Sequence, residues 1–407
     1  MLAPQVEAPF ADAFFEVALK GRDGHAALAE SLYNEVGLDV EYRKTGILRV
    51  ARTEAERVDL QRMLRWQTER GLHAEWIESQ HLGECEPLLA GVAGRLLAGG
   101  LWLEDEAQVR GPRLVQALAT AAMQHGAQFL EATPVTALQR DGSRATDVPT
   151  PSGRGTDARA PTGRVTDAPT PAGRGTDVRS PTGRVTDAPT PTGRGTDARS
   201  PTGQVTDART PAGRVTGVCT PTGLVTAETV VLAAGVWTPP LYEVPVKPVK
   251  GQILSLRALG KSPRQVLWCG ECYLVPRPDG EIVLGATEEE GNYDLSPTVG
   301  GLNRLTEAAL EVVPAVGSFN VEGFWAGLRP AAPDRFPIVG WSPDVEGLFL
   351  ATAHYRNGIL LGPLTGKRVA DCILEGKSLE ELSPFGPERF QSANNEATMR
   401  SAAWPSP

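Results

Sequence analysis

The chain has 407 residues, 41% of them hydrophobic and 22% charged, and a formal net charge of −9 at pH 7. This length allows two domains with cores of their own. The negative charge and the lack of a basic stripe argue against nucleic acid as a partner, and no apolar run reaches the roughly 18 residues of a membrane span. We therefore expect a soluble, cytoplasmic protein that makes no membrane contact.

The first third of the chain alternates helical and strand patterns. Residues 10–36 carry apolar side chains at helical spacing and predict two helical stretches, broken near Gly21 and Gly24. Residues 46–51 predict a strand, and residues 53–70 predict a helix whose first residue, a threonine, can cap it. The next segments predict a strand, a helix and a strand that contains Val135, over residues 99–103, 112–125 and 127–138.

Residues 143–226 contain a ten-residue unit that recurs in strict register, as in the copies 163–172 and 183–192. Each copy has scarcely one large apolar side chain, so burial cannot offset the entropy lost on ordering it. We expect a disordered or loosely hairpinned loop rather than an ordered β-solenoid. The last copy, over residues 215–228, is typical of a strand, turn and strand from which the others were duplicated.

Residues 229–237 predict a buried parallel strand that ends in the small residues Ala233, Ala234 and Gly235. Small residues at this end of a strand let the backbone approach a cofactor. A tight sheet-to-helix turn would give the same pattern.

Apolar and polar residues alternate over residues 246–284, as in a largely antiparallel sheet. Residues 10–105 should contribute to the floor of the same domain. Tyr273 lies within it beside apolar residues, where its hydroxyl could donate to a carboxylate or simply be half-buried. Cys269 and Cys272 flank a predicted turn. A zinc site would need two further ligands, and a redox pair would want a following helix, so two structural thiols and no metal are the favoured interpretation.

Two arginines, Arg329 and Arg356, are set among small or apolar residues. A guanidinium removed from water needs an anionic partner, and a ligand carboxylate matches its planar fork. Ion pairs with Glu322 or Asp334 are the alternative, and they would leave neither guanidinium free.

The end of the chain predicts a buried strand over residues 348–353, a turn over 354–358 and a helix over 362–374. Pro363 would lie in the first turn of this helix and Gly376 just past its end. The turn and helix start would aim backbone N–H groups and partial positive charge at one point, where negative charge on a bound molecule is stabilised.

Motifs spread over nearly the whole chain outside the repeat agree with one family. They are MLAPQVE at the start, TVVLAAGVW at 229–237, PVKGQIL at 248–254, CYLVPRPDGEIVLGATEEEG at 272–291, WAGLRP at 325–330, PIVG at 337–340 and HYRNGILL at 354–361. Together they resemble the D-amino-acid oxidase superfamily of flavoproteins, and most of all its glycine oxidase branch.

The resemblance implies an α/β fold with an FAD-binding Rossmann-like domain of the glutathione-reductase type and an antiparallel-sheet substrate domain. Relatives begin with a strand, a Gly-x-Gly-x-x-Gly turn and a helix that hold the pyrophosphate of FAD. We expect this domain to be N-terminally incomplete here, with the sequence starting at an internal methionine. The expected divisions are an FAD-binding domain of residues 1–9, 106–142, 227–245 and 323–387, a substrate domain of 10–105 and 246–322, the repeat insertion 143–226 and a flexible tail, 388–407.

The resemblance also implies flavin-dependent oxidation of glycine or another small amino acid by oxygen, giving an imino or keto acid, ammonia and hydrogen peroxide, with a link to thiamine thiazole synthesis. FAD would be non-covalent, since no cysteine lies near Gly362. Arg329 would clamp the substrate carboxylate, with Tyr273 as a second donor and Arg356 as a supporting charge. The residues expected to contact the cofactor are Met1, Val135, Ala233, Ala234, Gly235, Arg356, Asn357, Gly358, Ile359 and Leu360.

Two other interpretations stay open. Glu271 and Glu288 stand where less acidic residues are usual in relatives, and an acidic rim near the amine would favour sarcosine or another secondary amine. A chain unable to hold FAD would be a non-catalytic remnant that presents the repeat as an interaction surface. A homo-oligomer is compatible with both. We interpret His354 as a hydrogen-bonding residue of its turn rather than a catalytic one.

Overall fold

The computed structural model describes residues 1–92, 96–141, 213–291 and 293–390, and all of its elements belong to one compact unit of residues 1–144 and 210–407. Most of the repeat and the tail beyond residue 390 lie outside the described residues. The helices are α1 (Pro4–Glu7), α2 (Ala13–Val36), α3 (Glu54–Glu69), α4 (Leu82–Cys85), α5 (Gly111–Gln124), α6 (Val299–Val312) and α7 (Gly358–Glu375). The strands are β1 (Ile47–Ala51), β2 (Glu75–Ile77), β3 (Gly99–Leu103), β4 (Ala137–Arg140), β5 (Val215–Thr220), β6 (Gly223–Thr226), β7 (Val230–Leu232), β8 (Lys247–Arg257), β9 (Val266–Cys269), β10 (Cys272–Pro276), β11 (Glu281–Gly285), β12 (Glu289–Glu290), β13 (Asn320–Ala331), β14 (Ile338–Trp341) and β15 (Leu348–Thr352).

The larger layer is a nine-stranded sheet. Eight strands follow the order β12-β8-β11-β10-β9-β1-β3-β2, and the ninth strand, β13, also pairs with β8. β8 pairs with β11, β11 with β10 and β10 with β9, and all three pairs are antiparallel, which confirms the prediction for residues 246–284. β1 and β3 join the same sheet, as the sequence predicts for residues 10–105. Alternate side chains of these strands, among them Leu254 and Leu274, bury one face against Leu305 of α6.

Two smaller sheets complete the fold. β7 pairs in parallel with β15, which confirms a parallel strand within residues 229–237, and β14 pairs with the other edge of β15. The strand has only three residues and Val231 is 43% exposed, so the prediction that it is buried throughout is wrong. β4, β5 and β6 form an antiparallel sheet. The last repeat copy is therefore an ordered hairpin, which confirms the strand, turn and strand predicted for residues 215–228.

The predicted break at Gly21 and Gly24 is wrong, because α2 is one continuous helix of 24 residues. The side chain of Asp12 caps it by accepting from the N–H of Phe15. A Cβ at Gly21 would lie 2.9 Å from the carbonyl oxygen of Leu360. The glycine therefore serves the close approach of α2 to α7 rather than a turn.

Helix α7 begins at Gly358, four residues before the predicted start, so Pro363 is an interior residue. A proline has no N–H to donate to the carbonyl four residues earlier, that of Ile359. His25 on α2 supplies a donor instead, since its Nε2 lies 3.1 Å from the carbonyl oxygens of both Ile359 and Leu360. The predicted end is confirmed, because Gly376 caps the helix in the left-handed conformation.

The predicted strand over residues 127–138 is wrong, because the strand here runs only from Ala137 to Arg140. Ala132 has a φ of +53°, and Pro134 has no N–H to pair. Val135 precedes the strand and is 38% exposed. The helix predicted over residues 53–70 is confirmed, with Thr53 as its cap.

Replacing His25 with phenylalanine should lower the free energy of unfolding by about 1–3 kcal/mol, because a buried carbonyl loses its donor. Adding Pro363→Ala restores a backbone N–H beneath that carbonyl and should recover part of the loss. Chemical denaturation of both variants and of His81→Phe, an exposed control, measures this. An equal loss with and without Pro363→Ala would contradict the assigned role of His25.

Candidate active site

Arg329 lies near the end of β13, opposite Val249 near the start of β8. Its Nη1 donates to the carbonyl oxygen of Thr287 at 3.0 Å. Its guanidinium lies over Gly251, where an added Cβ would come closer than 3.0 Å. Among the described residues no carboxylate forms an ion pair with Arg329, so its remaining donors can take an anionic ligand.

Tyr273 lies on β10 opposite Gly285 of β11, and the missing side chain there makes room for its hydroxyl. Its ring is 5.6 Å from the ring of Trp268. Burial raises the pKa of Tyr273, and the positive charges of Arg329 and Arg356 oppose the shift. The hydroxyl is therefore protonated at neutral pH and lies within electrostatic reach of both guanidinium groups.

Arg356 lies in the short 3-10 turn that joins β15 to α7. Its guanidinium is 5.6 Å from the centre of the Trp268 ring. Its Nη2 is 3.7 Å from Oε1 of Glu7, too far for a hydrogen bond. The carboxylate of Glu7 nevertheless raises the pKa of Arg356, against the effect of burial. The described residues thus supply Arg356 with compensating charge but no hydrogen-bond acceptor.

The structure brings together the three residues predicted to bind a carboxylate: Arg329, Arg356 and Tyr273. The alternative ion pairs do not form, because Glu322 pairs with Arg257 and Asp334 with Arg389. Both guanidinium groups act electrostatically on the Tyr273 hydroxyl, so a carboxylate bound beside this hydroxyl would be attracted by both charges.

Sequence reasoning missed three residues of this cluster: Glu7, Trp268 and Thr287. Glu7 lies in the MLAPQVE motif and Thr287 in the CYLVPRPDGEIVLGATEEEG motif, and membership of these motifs could have pointed to both residues. Trp268 precedes the second motif and carried no signal, since an aromatic residue on a strand is usually part of a core.

The residues predicted to contact a cofactor lie in several places. Ala233, Gly235 and Gly358 line an open cavity of about 680 Å³ that follows α7 as far as Leu374. Ile359 is 37% exposed, whereas the side chain of Leu360 is buried in a core, so that Leu360 can offer only its backbone. The remaining predicted residues, which do not line this cavity, are Met1, Val135, Ala234, Arg356 and Asn357.

The cavity does not contain the arginine cluster. It contacts the neighbour of Arg329, Pro330, and otherwise runs beside the cluster along α7. Its walls are mostly small and apolar, with Thr352, His354 and Thr365 as the polar groups. The cavity and the cluster therefore form adjacent spaces, one apolar and one cationic.

The minor candidates have structural roles. His354 contacts the hydroxyl of Thr365 through Nε2, and burial lowers its pKa to about 4, so it is neutral at physiological pH. Cys269 and Cys272 face each other on β9 and β10, and burial raises the pKa of both thiols, that of Cys272 to about 12. In the part of the chain that the structure describes, no cluster of His, Cys, Asp and Glu could hold a metal ion. None of its helices has the length and apolar character needed to cross a bilayer.

A sequence model of the family described as FAD dependent oxidoreductase (DAO) matches residues 1–168 and 199–372. The glycine oxidase of Geobacillus kaustophilus (strain HTA426) is 29% identical over 391 residues, which are 95% of this chain and 84% of that protein. A bifunctional protein ThiO/ThiG of Synechocystis sp. (strain ATCC 27184 / PCC 6803 / Kazusa) is 28% identical over 400 residues, which are 97% of this chain and 48% of that protein. The crystal structure of the glycine oxidase from Geobacillus kaustophilus matches with a TM-score of 0.73 and 28% identity, over 95% of this chain and 86% of that one.

Gly251→Ala should displace the guanidinium of Arg329 and break its hydrogen bond to Thr287, because the new methyl group takes its place. The free energy of unfolding should change by less than about 1 kcal/mol, since the end of a flexible side chain can move. Crystal structures and thermal melts of both variants test this, with Gly327→Ala as the control. Gly327 is the partner of Gly251 on β13, and a Cβ there meets nothing within 4 Å. An unmoved Arg329 would contradict the described packing.

Proposed function

Because the chain belongs to the DAO family of FAD-dependent oxidoreductases, we propose that it oxidises the Cα–N bond of a small amino acid, with glycine as the preferred substrate and molecular oxygen as the acceptor. The observation that carries the proposal is that Arg329 and Arg356 both act electrostatically on the Tyr273 hydroxyl, while among the described residues Arg329 pairs with no carboxylate and Arg356 has one loosely paired carboxylate. Similarity to glycine oxidases over nearly the whole chain supports the same substrate class.

Arg329 is the primary carboxylate ligand. Its bond to the Thr287 carbonyl fixes one Nη and leaves other guanidinium donors to grip the substrate. Tyr273 donates a further hydrogen bond, and Arg356 adds a positive charge that Glu7 and Trp268 hold in place. Fixing the carboxylate sets the position of the α-carbon, and such orientation contributes a large part of the rate.

The residues present fit FAD. Helix α7 begins without a side-chain cap from Asn357, so its positive end can face an electron-rich group, and the small residues after β7 let the backbone approach closely. Gly358, Ile359 and Leu360 would hold this end of the cofactor through their backbone, and Ala233, Ala234 and Gly235 its neighbouring part. FAD, when bound, supplies the two-electron acceptor that takes a hydride from the substrate α-carbon and is reoxidised by oxygen.

The reaction balances with one amino acid, one oxygen molecule and one water, which give a 2-oxo acid, ammonia and hydrogen peroxide. The substrate loses a hydride from the α-carbon and a proton from the nitrogen, and water then hydrolyses the imine. No side-chain base is needed when the amine arrives neutral. Similarity to a ThiO/ThiG protein favours delivery of the imine to thiamine thiazole synthesis as its further use.

A secondary amine such as sarcosine would be favoured if Glu271 and Glu288 formed a free acidic rim near the substrate amine. Glu288 instead accepts from the hydroxyl of Tyr355 and pairs with Arg335 at 3.1 Å, and Glu271 is exposed in the turn between β9 and β10. We therefore place glycine ahead of sarcosine.

The test is to load the purified chain with FAD, record its visible spectrum, and measure hydrogen peroxide formed from glycine. Arg329→Met should lower kcat/KM by about 10²–10³-fold, because it removes charge-assisted hydrogen bonds to the carboxylate. Arg257→Met, which removes an exposed arginine from β8, is the matched control and should leave turnover unchanged.

Two results would contradict the proposal. A chain that stays colourless with excess FAD and forms no peroxide would support the non-catalytic remnant. A coloured chain in which Arg329→Met turns over glycine at the wild-type rate would show that the carboxylate is bound elsewhere.

A further inference from the structure

The residue before Arg356 adopts an unfavourable backbone conformation. Tyr355 has a φ of +49°, and Ala353, two residues earlier, has a φ of +57°. Left-handed values at residues with a side chain cost on the order of 1 kcal/mol each and persist only where surrounding contacts hold them. The turn that aims Arg356 therefore depends on interactions made by its neighbours.

The side chain of Tyr355 provides such an interaction. Its ring is buried beside Val249 and Ala331, and its hydroxyl donates a short hydrogen bond to Oε1 of Glu288. Arg335 binds the same oxygen through Nη1 at 3.1 Å, and its guanidinium lies 5.4 Å from the centre of the Tyr355 ring. Glu288, Arg335 and Tyr355 thus form a closed cluster in which each member contacts the other two.

The cluster is linked to the other arginine through the chain. Thr287, whose carbonyl accepts from Arg329, is the residue immediately before Glu288. Thr287 therefore contacts β13 through Arg329, and Glu288 contacts the turn before α7 through Tyr355. These two consecutive residues thus touch both elements that supply the arginines.

We propose that Glu288 is a positioning residue for the substrate carboxylate: it holds the Tyr355 turn and so sets the position of Arg356 relative to Arg329. This inference rests on the proposed function. Glu7 cannot replace it, because its contact with Arg356 is an ion pair at 3.7 Å without the direction of a hydrogen bond. Oε1 of Glu288 is engaged by both Tyr355 and Arg335, so this oxygen serves the turn.

Three variants separate the contacts of Glu288. Glu288→Leu removes both of them, Tyr355→Phe removes the hydrogen bond alone, and Glu288→Gln keeps an acceptor for the Tyr355 hydroxyl. Glu290→Gln is the matched control, because Glu290 pairs with the same arginine at 3.1 Å but does not contact Tyr355.

We expect Glu288→Leu and Tyr355→Phe each to raise the KM for glycine about tenfold, with kcat within about threefold of wild type, because a misplaced Arg356 weakens carboxylate binding in the ground and transition states alike. Glu288→Gln should be intermediate, and Glu290→Gln unchanged. The double variant Glu288→Leu/Tyr355→Phe should be no worse than the poorer single variant, because both remove one interaction.

Binding of glycolate, which has the carboxylate but no amine, gives a readout that does not need turnover. Calorimetry should show its Kd rising in the same order as KM. A wild-type chain that binds glycolate in this pattern but does not oxidise glycine would overturn the proposed function and leave the role of Glu288 standing. An unchanged KM and glycolate Kd in Tyr355→Phe, the mildest replacement, would overturn the role of Glu288 even if Glu288→Leu fails to fold.

Discussion

The arrangement depends on positive charge that the protein itself leaves incompletely paired. In the part of the chain that the structure describes, Arg329 donates to a backbone carbonyl, and Arg356 has the loose ion pair with Glu7 and the ring of Trp268 beside it. Holding partly buried guanidinium groups without full pairing costs free energy unless an anion enters. Such a site is destabilised when it is empty, and a bound carboxylate neutralises it, so it favours carboxylate ligands. The Thr287 carbonyl and Glu7 hold the two arginines without fully pairing their charges.

The fold supplies these charges from elements that are distant in sequence. The pairing of β13 with β8 places Arg329, and the absence of side chains at Gly251 and Gly285 opens the space for its guanidinium and for the Tyr273 hydroxyl. The turn into α7 places Arg356. That helix keeps an interior proline because α2 packs closely against it and brings His25 to the exposed carbonyls. The turn that carries Arg356 and the helix start are thus adjoining parts of one segment.

The sequence predicted what is encoded locally. Alternation gave the strands from β8 to β11, the threonine at 53 gave the cap of α3, and the glycine at 376 gave the end of α7. The wrong predictions come from long-range contacts. The pattern predicts a helix break at Gly21 because the close approach of α7, which requires this glycine, is not visible in the local sequence. It also predicts too late a start for α7. The helix continues through Pro363 because His25 donates to the carbonyl of Ile359, and these two residues are 334 positions apart. Unusual surroundings and the family motifs pointed to Arg329, Arg356 and Tyr273. Trp268 carried no sequence signal, and the contacts of Glu288 with Tyr355 and of Glu7 with Arg356 depend on the fold.

The most direct test compares a carboxylate ligand with its neutral amide, which has nearly the same size. Calorimetric titration of the FAD-loaded protein with glycolate and with glycolamide isolates the carboxylate, and Arg329→Met removes its main ligand. Wild type should bind glycolate at least tenfold more tightly than glycolamide, about 1.4 kcal/mol, and Arg329→Met should abolish this preference. Equal affinity for the two ligands in wild type, or a preference that survives in Arg329→Met, would contradict the proposed role of Arg329.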